Sequence, residues 1–407
     1  MNRFLYLFRR MAPVIIYLCG ILFFFLADIL VSSSHSSNVV AEWANIKSFV
    51  MIASPFLLAG MNNLYVRWPD EAANISCSII GILGIALFFL IAVQVLSGGV
   101  FPRWYVDVTI AYCISLCGMS YLRAKLKFVL AQLQQNLWKI LIFLLVAASS
   151  YLGWGVSVKE LYRYSLWVGV VVLLFSVFDK GAFVGVIKPK VKALTLAQYG
   201  FAFQMMLSTG TMAASAYASV FFVSSFSENA MAASFFAHYI VFTAFAVVVS
   251  GYIGFSLTPM LKSAPEKYLP LIVDYKRKIF SVSFALFALN LFLGCVLFDF
   301  VYGGRYEVNY LWATFLSLEC IIRSLYVLPT SILGAFSDGA RLTSFVILGV
   351  VGCLILVLLS LLGIYMEYLV VFVLLGSMAN WLLRYYSASR TAMAVISEKK
   401  LINNKAV

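Results

Sequence analysis

Long apolar runs recur along this chain, each about the length of a membrane-crossing helix and each closed by a short polar or basic break. About 20 apolar residues in a helix cross the hydrocarbon core, and on that measure the runs predict about twelve spans. Six fall at 11–33, 43–66, 76–96, 104–122, 137–154 and 161–187. Six more fall at 197–226, 230–260, 279–302, 308–336, 342–365 and 368–386. Several exceed what a bilayer needs, which permits tilt. The stretch from Met1 to Pro13 is basic and leads into an apolar run, as a signal peptide does. No small-residue cleavage site follows, and the run continues past Asp28, so it reads as an uncleaved first span.

The breaks carry the charge. With the N-terminus on the cytoplasmic side, 22 Lys and Arg residues fall on cytoplasmic breaks and 4 (Arg103, Lys159, Arg163, Arg305) on outer ones. The positive-inside rule then places both termini in the cytoplasm. Two cytoplasmic breaks stand out. Lys188-Pro189-Lys190-Val191-Lys192 reads as the joint between two six-helix bundles, 1–190 and 191–407. The longer break from Lys262 to Lys278 contains Pro265 and Pro270 and is expected to lie partly along the membrane surface. A weak repeat agrees with two halves. Val31-Ser32-Ser33 and Val223-Ser224-Ser225 are 192 residues apart (223 − 31), and at that offset Ala41 matches Ala233 and Trp43 faces Phe235. Internal repeats of this kind are a transporter trait, with the substrate site between the halves.

Composition narrows the class further. Residues are 63% hydrophobic and 11% charged, with a mean hydropathy of +0.99, far from the quarter charged that a soluble domain carries. The net charge of +13 follows the topology and favours anionic membrane lipids over nucleic acid as a partner. Seven cysteines lie in or near apolar segments; Cys113 and Cys117 share a helix face, but no His or carboxylate cluster accompanies them, so packing is the expected role. The chain has no phosphate-binding Gly-Lys-Ser/Thr loop and no catalytic or metal-ligating constellation. Neither an enzyme nor a cofactor is expected.

Four stretches carry a resemblance. Leu58-Ala59-Gly60-Met61-Asn62-Asn63-Leu64-Tyr65-Val66-Arg67 closes the second span, and Leu122-Arg123-Ala124-Lys125 forms the break after the fourth. Phe255-Ser256-Leu257-Thr258-Pro259-Met260 ends the eighth. Tyr302-Gly303-Gly304-Arg305-Tyr306 and Leu333-Gly334-Ala335-Phe336-Ser337-Asp338-Gly339 bracket the tenth. In order and spacing these stretches resemble the O-antigen (lipid-linked repeat-unit) flippases, in the polysaccharide-exporter branch of the multidrug/oligosaccharidyl-lipid/polysaccharide superfamily. The resemblance spans nearly the whole chain. It implies an all-α membrane protein of about twelve transmembrane helices in two six-helix bundles around a central cavity. It also implies a bacterial inner-membrane flippase that moves an undecaprenyl-diphosphate-linked oligosaccharide to the periplasmic leaflet, with a polysaccharide polymerase and a chain-length regulator as partners. In one departure, Ala213-Ala214-Ser215-Ala216-Tyr217 in the seventh span lacks the charge that many relatives carry there, which bears on ion coupling.

Polar groups inside the spans are costly and therefore candidates for function. Glu319 and Arg323 are four apart in the tenth span, placed either to neutralise one another or to present Arg323 to a phosphate with Glu319 tuning it. Asp28, in the outer half of the first span, has no basic residue within a turn, and Lys47 lies early in the second. Arg323 and Lys47 are the candidates for an anionic headgroup; Asp28 and Glu319 are the candidates for coupling or gating. Asn62, Asn63, Gln204 and Asn380 are candidates for sugar hydroxyls, although such residues, Asn290 among them, more often join helices. Arg67 and Arg384 are expected to anchor to lipid headgroups, and His238 to be a packing residue. Two rival readings are a cation-coupled drug or metabolite antiporter of the same superfamily and a membrane-embedded polymerase or acyltransferase. The short outer loops disfavour the second rival.

Overall fold

Backbone groups in hydrocarbon must be satisfied within the chain, so apolar runs of this length become helices. In the computed structural model of the protein, residues 2–96, 103–152, 156–177, 193–263, 265–336 and 339–405 are described, and they form helices joined by short turns, with no strand among them. The helices of the first half are α1 (Asn2–Ser34), α2 (Ser37–Leu57), the short α3 (Leu64–Arg67), α4 (Ala72–Leu96), α5 (Arg103–Ala124), α6 (Phe128–Leu152) and α7 (Val158–Val177). Then follow α8 (Leu196–Phe226), α9 (Asn229–Ser263), α10 (Pro265–Tyr302), α11 (Tyr310–Phe336), α12 (Gly339–Tyr365) and α13 (Leu369–Lys405). Among the described residues nine helices are long and apolar enough to cross a membrane, and α2 with Met61–Arg67 makes a tenth, bent by 66°. The remaining two expected spans, 76–96 and 161–187, coincide with α4 and with the described part of α7.

The bend has a local cause. Ala59 and Gly60 both take left-handed backbone angles (φ 47° and 70°), which ends α2 before a 3₁₀ turn, Met61–Asn63, leads into α3. A Cβ on Gly60 would strike the backbone of Ala202 and Met206, so α8 packs directly on this corner. The break from Lys262 to Lys278 is largely helical: α10 starts at Pro265, a residue suited to a first turn, and its crossing part is Ser281–Tyr302.

By internal packing the chain divides into Met1–Tyr217 and Ala218–Val407. The joint expected at Lys188–Lys192 lies outside the described residues. Within the first unit α2 packs on α5, α5 on α7 and α6 on α7, while α1 lies along α6. Within the second unit α9 packs on α11, α11 on α13 and α12 on α13. These are the same three pairings, second span with fourth, fourth with sixth and fifth with sixth. The duplication read from the 192-residue offset therefore has a structural counterpart.

Candidate functional site

In the first unit the first and second spans meet at a buried ion pair. Asp28 and Lys47, 4% and 7% exposed, form a salt bridge, and Trp43 Nε1 donates to the other carboxylate oxygen at 2.8 Å. Aromatic rings enclose the pair: Lys47 Nζ lies 4.2 Å from the centroid of Phe24, which packs on Trp138, and Trp43 packs on Tyr162. Asp28 is thus not the lone carboxylate its neighbours in sequence suggest, and Lys47 does not reach outward. One turn of α2 lies between Trp43 and Lys47, so both face α1 together.

On α6 a second cation lies outside this pair but within electrostatic range of Lys47. Lys139 is half-buried and donates to Asn136 Oδ1 at 2.9 Å. Among the described residues it has no carboxylate within ion-pair range. Nearby, Trp138 Nε1 and Tyr162 Oη are buried without a hydrogen-bond partner, and their rings are 5.8 Å apart. In sequence Lys139 follows a polar stretch, Gln132 to Asn136, and has no acidic residue at helical spacing to mark it.

Gly60 positions Asn62 and Asn63 in the 3₁₀ turn, where Asn63 Nδ2 donates to the Gly60 carbonyl at 3.3 Å and to Asn62 Oδ1 at 3.4 Å. Gln204 is half-buried on α8. The two asparagine bonds tie this turn to itself. Near the N-terminal ends of α2, α5 and α7, Lys159 pairs with Glu42, and Arg163 pairs with Asp107, which also accepts from Trp167 Nε1 at 3.0 Å.

In the second unit the expected pair on α11 is formed. Arg323 Nη1 lies 3.4 Å from Glu319 Oε1, and both residues are buried. Arg323 also donates to Tyr239 Oη of α9 at 3.3 Å and its guanidinium lies 5.1 Å from the ring centroid of Trp381 on α13. Ser377, also on α13, donates to the other Glu319 oxygen at 2.7 Å. One helical face of α13 continues through Asn380 to Arg384.

Arg384 corrects an expectation. It is 2% exposed and does not anchor to headgroups. Its Nε donates to Asn380 Oδ1 at 3.2 Å and its Nη2 to the Gly349 carbonyl at 3.1 Å. Glycines at 349 and 352 of α12 leave room for these side chains, because a Cβ on either would press on Arg384 or Asn380. No carboxylate of the described residues pairs with Arg384, and Asn380 Nδ2 is buried without a partner. Asn380 therefore orients an arginine.

His238 and Asn290 hold helices. His238 Nε2 accepts from the Asn309 amide at 2.9 Å while Nδ1 faces the Ser234 carbonyl at 2.8 Å, an arrangement that assigns the proton to Nδ1. Asn290 Nδ2 donates to the Phe242 carbonyl and to Ser317 Oγ, both at 3.1 Å, joining α9, α10 and α11.

The geometry defines the class first: an all-α, polytopic membrane protein whose two units each bury an acid–base pair. The fold then has solved counterparts. The chain is similar to the outward-facing structure of a multidrug resistance MATE family transporter of the MOP superfamily, with a TM-score of 0.62 and 16% identity, covering 96% of each chain. It is similar to a MATE protein in complex with MaD5 (TM-score 0.61, 16% identity, 95% of this chain and 96% of that one). It is also similar to an inward-facing MATE family transporter (TM-score 0.53, 14% identity, 92% and 95%). The protein thus has the fold of MATE transporters. No family model and no curated protein matches the chain.

Proposed function

We propose that this protein is a bacterial inner-membrane flippase that carries an undecaprenyl-diphosphate-linked oligosaccharide, an O-antigen or other surface-polysaccharide repeat unit, from the cytoplasmic to the periplasmic leaflet. One observation carries the reading: the interior is cationic. Lys47, Arg323 and Arg384 are buried, against Asp28 and Glu319 among the described acidic residues. Each buried acid is already tied to a base, so Arg384 is a buried cation in surplus. A cation in low dielectric requires a counter-charge, and a diphosphate supplies one while its polyprenyl tail stays in lipid. An exporter of cations would need the opposite surplus.

A transporter of this fold works by alternating access, as the inward- and outward-facing structures of the MATE neighbours illustrate for those proteins. On this reading Arg323 and Lys47 belong to headgroup binding, and Asp28 and Glu319 to coupling or gating, since their ion pairs are the charges that a bound anion would redistribute. Asn62, Asn63 and Gln204 meet the sugars, and Asn380 acts through Arg384. Both termini lie in the cytoplasm, and the polymerase and chain-length regulator of the pathway are its partners.

The test is a deletion in the host, followed by extraction of polyprenyl-linked intermediates. Complete repeat units accumulating on the cytoplasmic leaflet with loss of surface polysaccharide, both reversed by the intact gene, are expected. Unchanged intermediates and normal surface polysaccharide would remove the flippase reading. The second reading, a cation-coupled drug antiporter, is favoured by the multidrug resistance role given for one neighbour. It predicts instead that the deletion sensitises cells to cationic compounds.

A further inference from the structure

We propose that Lys139 is a second phosphate-binding residue of the first unit, beside Lys47: its ammonium, held by Asn136, takes one phosphoryl group of a lipid diphosphate headgroup. The proposal rests on the flippase reading and names the group that meets the charge.

Three residues of α6, Gln132, Asn136 and Lys139, fall four and three apart and so lie on one helix face. Against that face α1 presents Gly20, where any Cβ would collide with Asn136. The close approach seals Asn136, which is fully buried, and limits its rotamers. Its Nδ2 donates to the Gln132 carbonyl at 2.9 Å and to Gln132 Oε1 at 3.1 Å, so its oxygen faces Lys139. Lys139 Nζ donates to that oxygen at 2.9 Å. An ammonium has three protons to donate, and Asn136 occupies one of them.

The charge that bears on Lys139 is that of Lys47, which lies within electrostatic range of it. Lys139 Nζ lies 5.9 Å from the ring centroid of Trp138, whose Nε1 is buried and unpartnered. Trp138 packs on Tyr162, whose hydroxyl is likewise buried and unpartnered. The nearest acid of this unit's interior, Asp28, is committed to Lys47 and Trp43. A half-buried cation with a second cation, Lys47, in electrostatic range and the local carboxylate spoken for suits a ligand that brings acceptor oxygens and a negative charge. A phosphoryl group meets both needs; an organic cation meets neither.

The experiment measures binding of undecaprenyl diphosphate to the full-length protein in lipid nanodiscs, for wild type, Lys139→Gln, Lys139→Arg and Asn136→Ala. Losing a charge-assisted bond to a phosphate should weaken binding about tenfold or more in Lys139→Gln, with Lys139→Arg within about threefold of wild type. Asn136→Ala, which frees the ammonium, should lose about threefold. Inorganic pyrophosphate should compete in the wild type and phosphatidylglycerol should not. Wild-type affinity in Lys139→Gln overturns the proposal, and so does displacement of the probe by phosphatidylglycerol, which would mark a site for bulk anionic lipid. Should Lys139→Gln not fold, wild-type affinity in Asn136→Ala overturns it equally. Intermediates accumulating in the deletion strain while Lys139→Gln binds normally would cost the Lys139 assignment and leave the flippase reading standing. No accumulation would remove both.

Discussion

Replacing Lys47 with methionine should be among the most damaging single changes in the first unit, and pairing it with Asp28→Asn should repair most of the damage. The two side chains form an ion pair at 4% and 7% exposure. Without Lys47, the carboxylate keeps one donor, the Trp43 indole at 2.8 Å. Removing one partner of a buried pair costs about 3–5 kcal/mol, because a charge is left behind in low dielectric. The retained indole bond returns part of that, since bonds to charged groups contribute about 1.5–3 kcal/mol, so the net expectation for Lys47→Met is about 2–3 kcal/mol. In the double variant no charge is stranded, the amide oxygen that replaces the carboxylate still accepts from Trp43, and methionine fills the stem. Its cost should stay within about 1 kcal/mol. Asp28→Asn alone strands the ammonium and should also cost about 2–3 kcal/mol, so the coupling energy, the two single costs less that of the double, is about 3 kcal/mol or more, well above the 0.3–0.5 kcal/mol scatter of roughly additive sites. The assay is reversible unfolding of the purified protein in mixed micelles across the four-member cycle. Additive costs would refute the reasoning, because they would mean that the two charges do not meet in the folded protein.

Three further outcomes follow from named contacts. Gly60→Ala places a Cβ at φ 70° against the Ala202 and Met206 backbone and should lose at least about 2 kcal/mol, read as a lower unfolding temperature. Arg384→Lys retains the charge but not the fork that bonds Asn380 and Gly349 together, so a loss of about 2 kcal/mol is expected in the same unfolding assay, and a neutral result would show that the charge alone matters. Ser377→Ala removes a 2.7 Å bond to Glu319 and should cost about 1.5–3 kcal/mol; in a Glu319→Gln background, where the acceptor is neutral, the loss should shrink to about 1 kcal/mol.

Helix positions were legible because hydrocarbon leaves the backbone one solution, so each apolar run had to become a helix. The Glu319–Arg323 pair was legible too, since both residues lie on one helix and a spacing of four puts them together whatever surrounds them. Asp28 and Lys47 were not paired in advance. They sit on different helices 19 residues apart (47 − 28), and which α1 residue faces which α2 residue is set by how the helices pack. Arg384 was misplaced for a different reason. The apolar run ends near 386, which puts an arginine there at an apparent membrane edge, but α13 continues to Lys405 and α12 covers it through Gly349. Lys139 was overlooked because a single cation in a run has no spacing to interpret; Asn136, its fixed neighbour, became informative only once Gly20 was seen against it.

The duplicated pairings bear on how the two interiors came to differ. At the 192-residue offset Lys47 corresponds to Tyr239 (47 + 192 = 239), both on the second span of their unit. Lys47 is one member of the first unit's ion pair, and Tyr239 accepts a 3.3 Å hydrogen bond from Arg323, a member of the second unit's pair. The same position on the same helix therefore touches the buried charge in both units, as a cation in one and as a hydroxyl in the other. In the first unit the base sits on the second span and its acid on the first; in the second unit both charges sit on the fourth span, and the second span contributes only the hydroxyl. A pair spread over two helices is broken when those helices part, whereas an i, i+4 pair on one helix survives their separation. Movement between the first and second spans would thus expose charge in the first unit and leave the second unit's pair intact, and on the flippase reading proposed above Asp28 and Lys47 would be the pair through which helix motion and a bound anion influence one another.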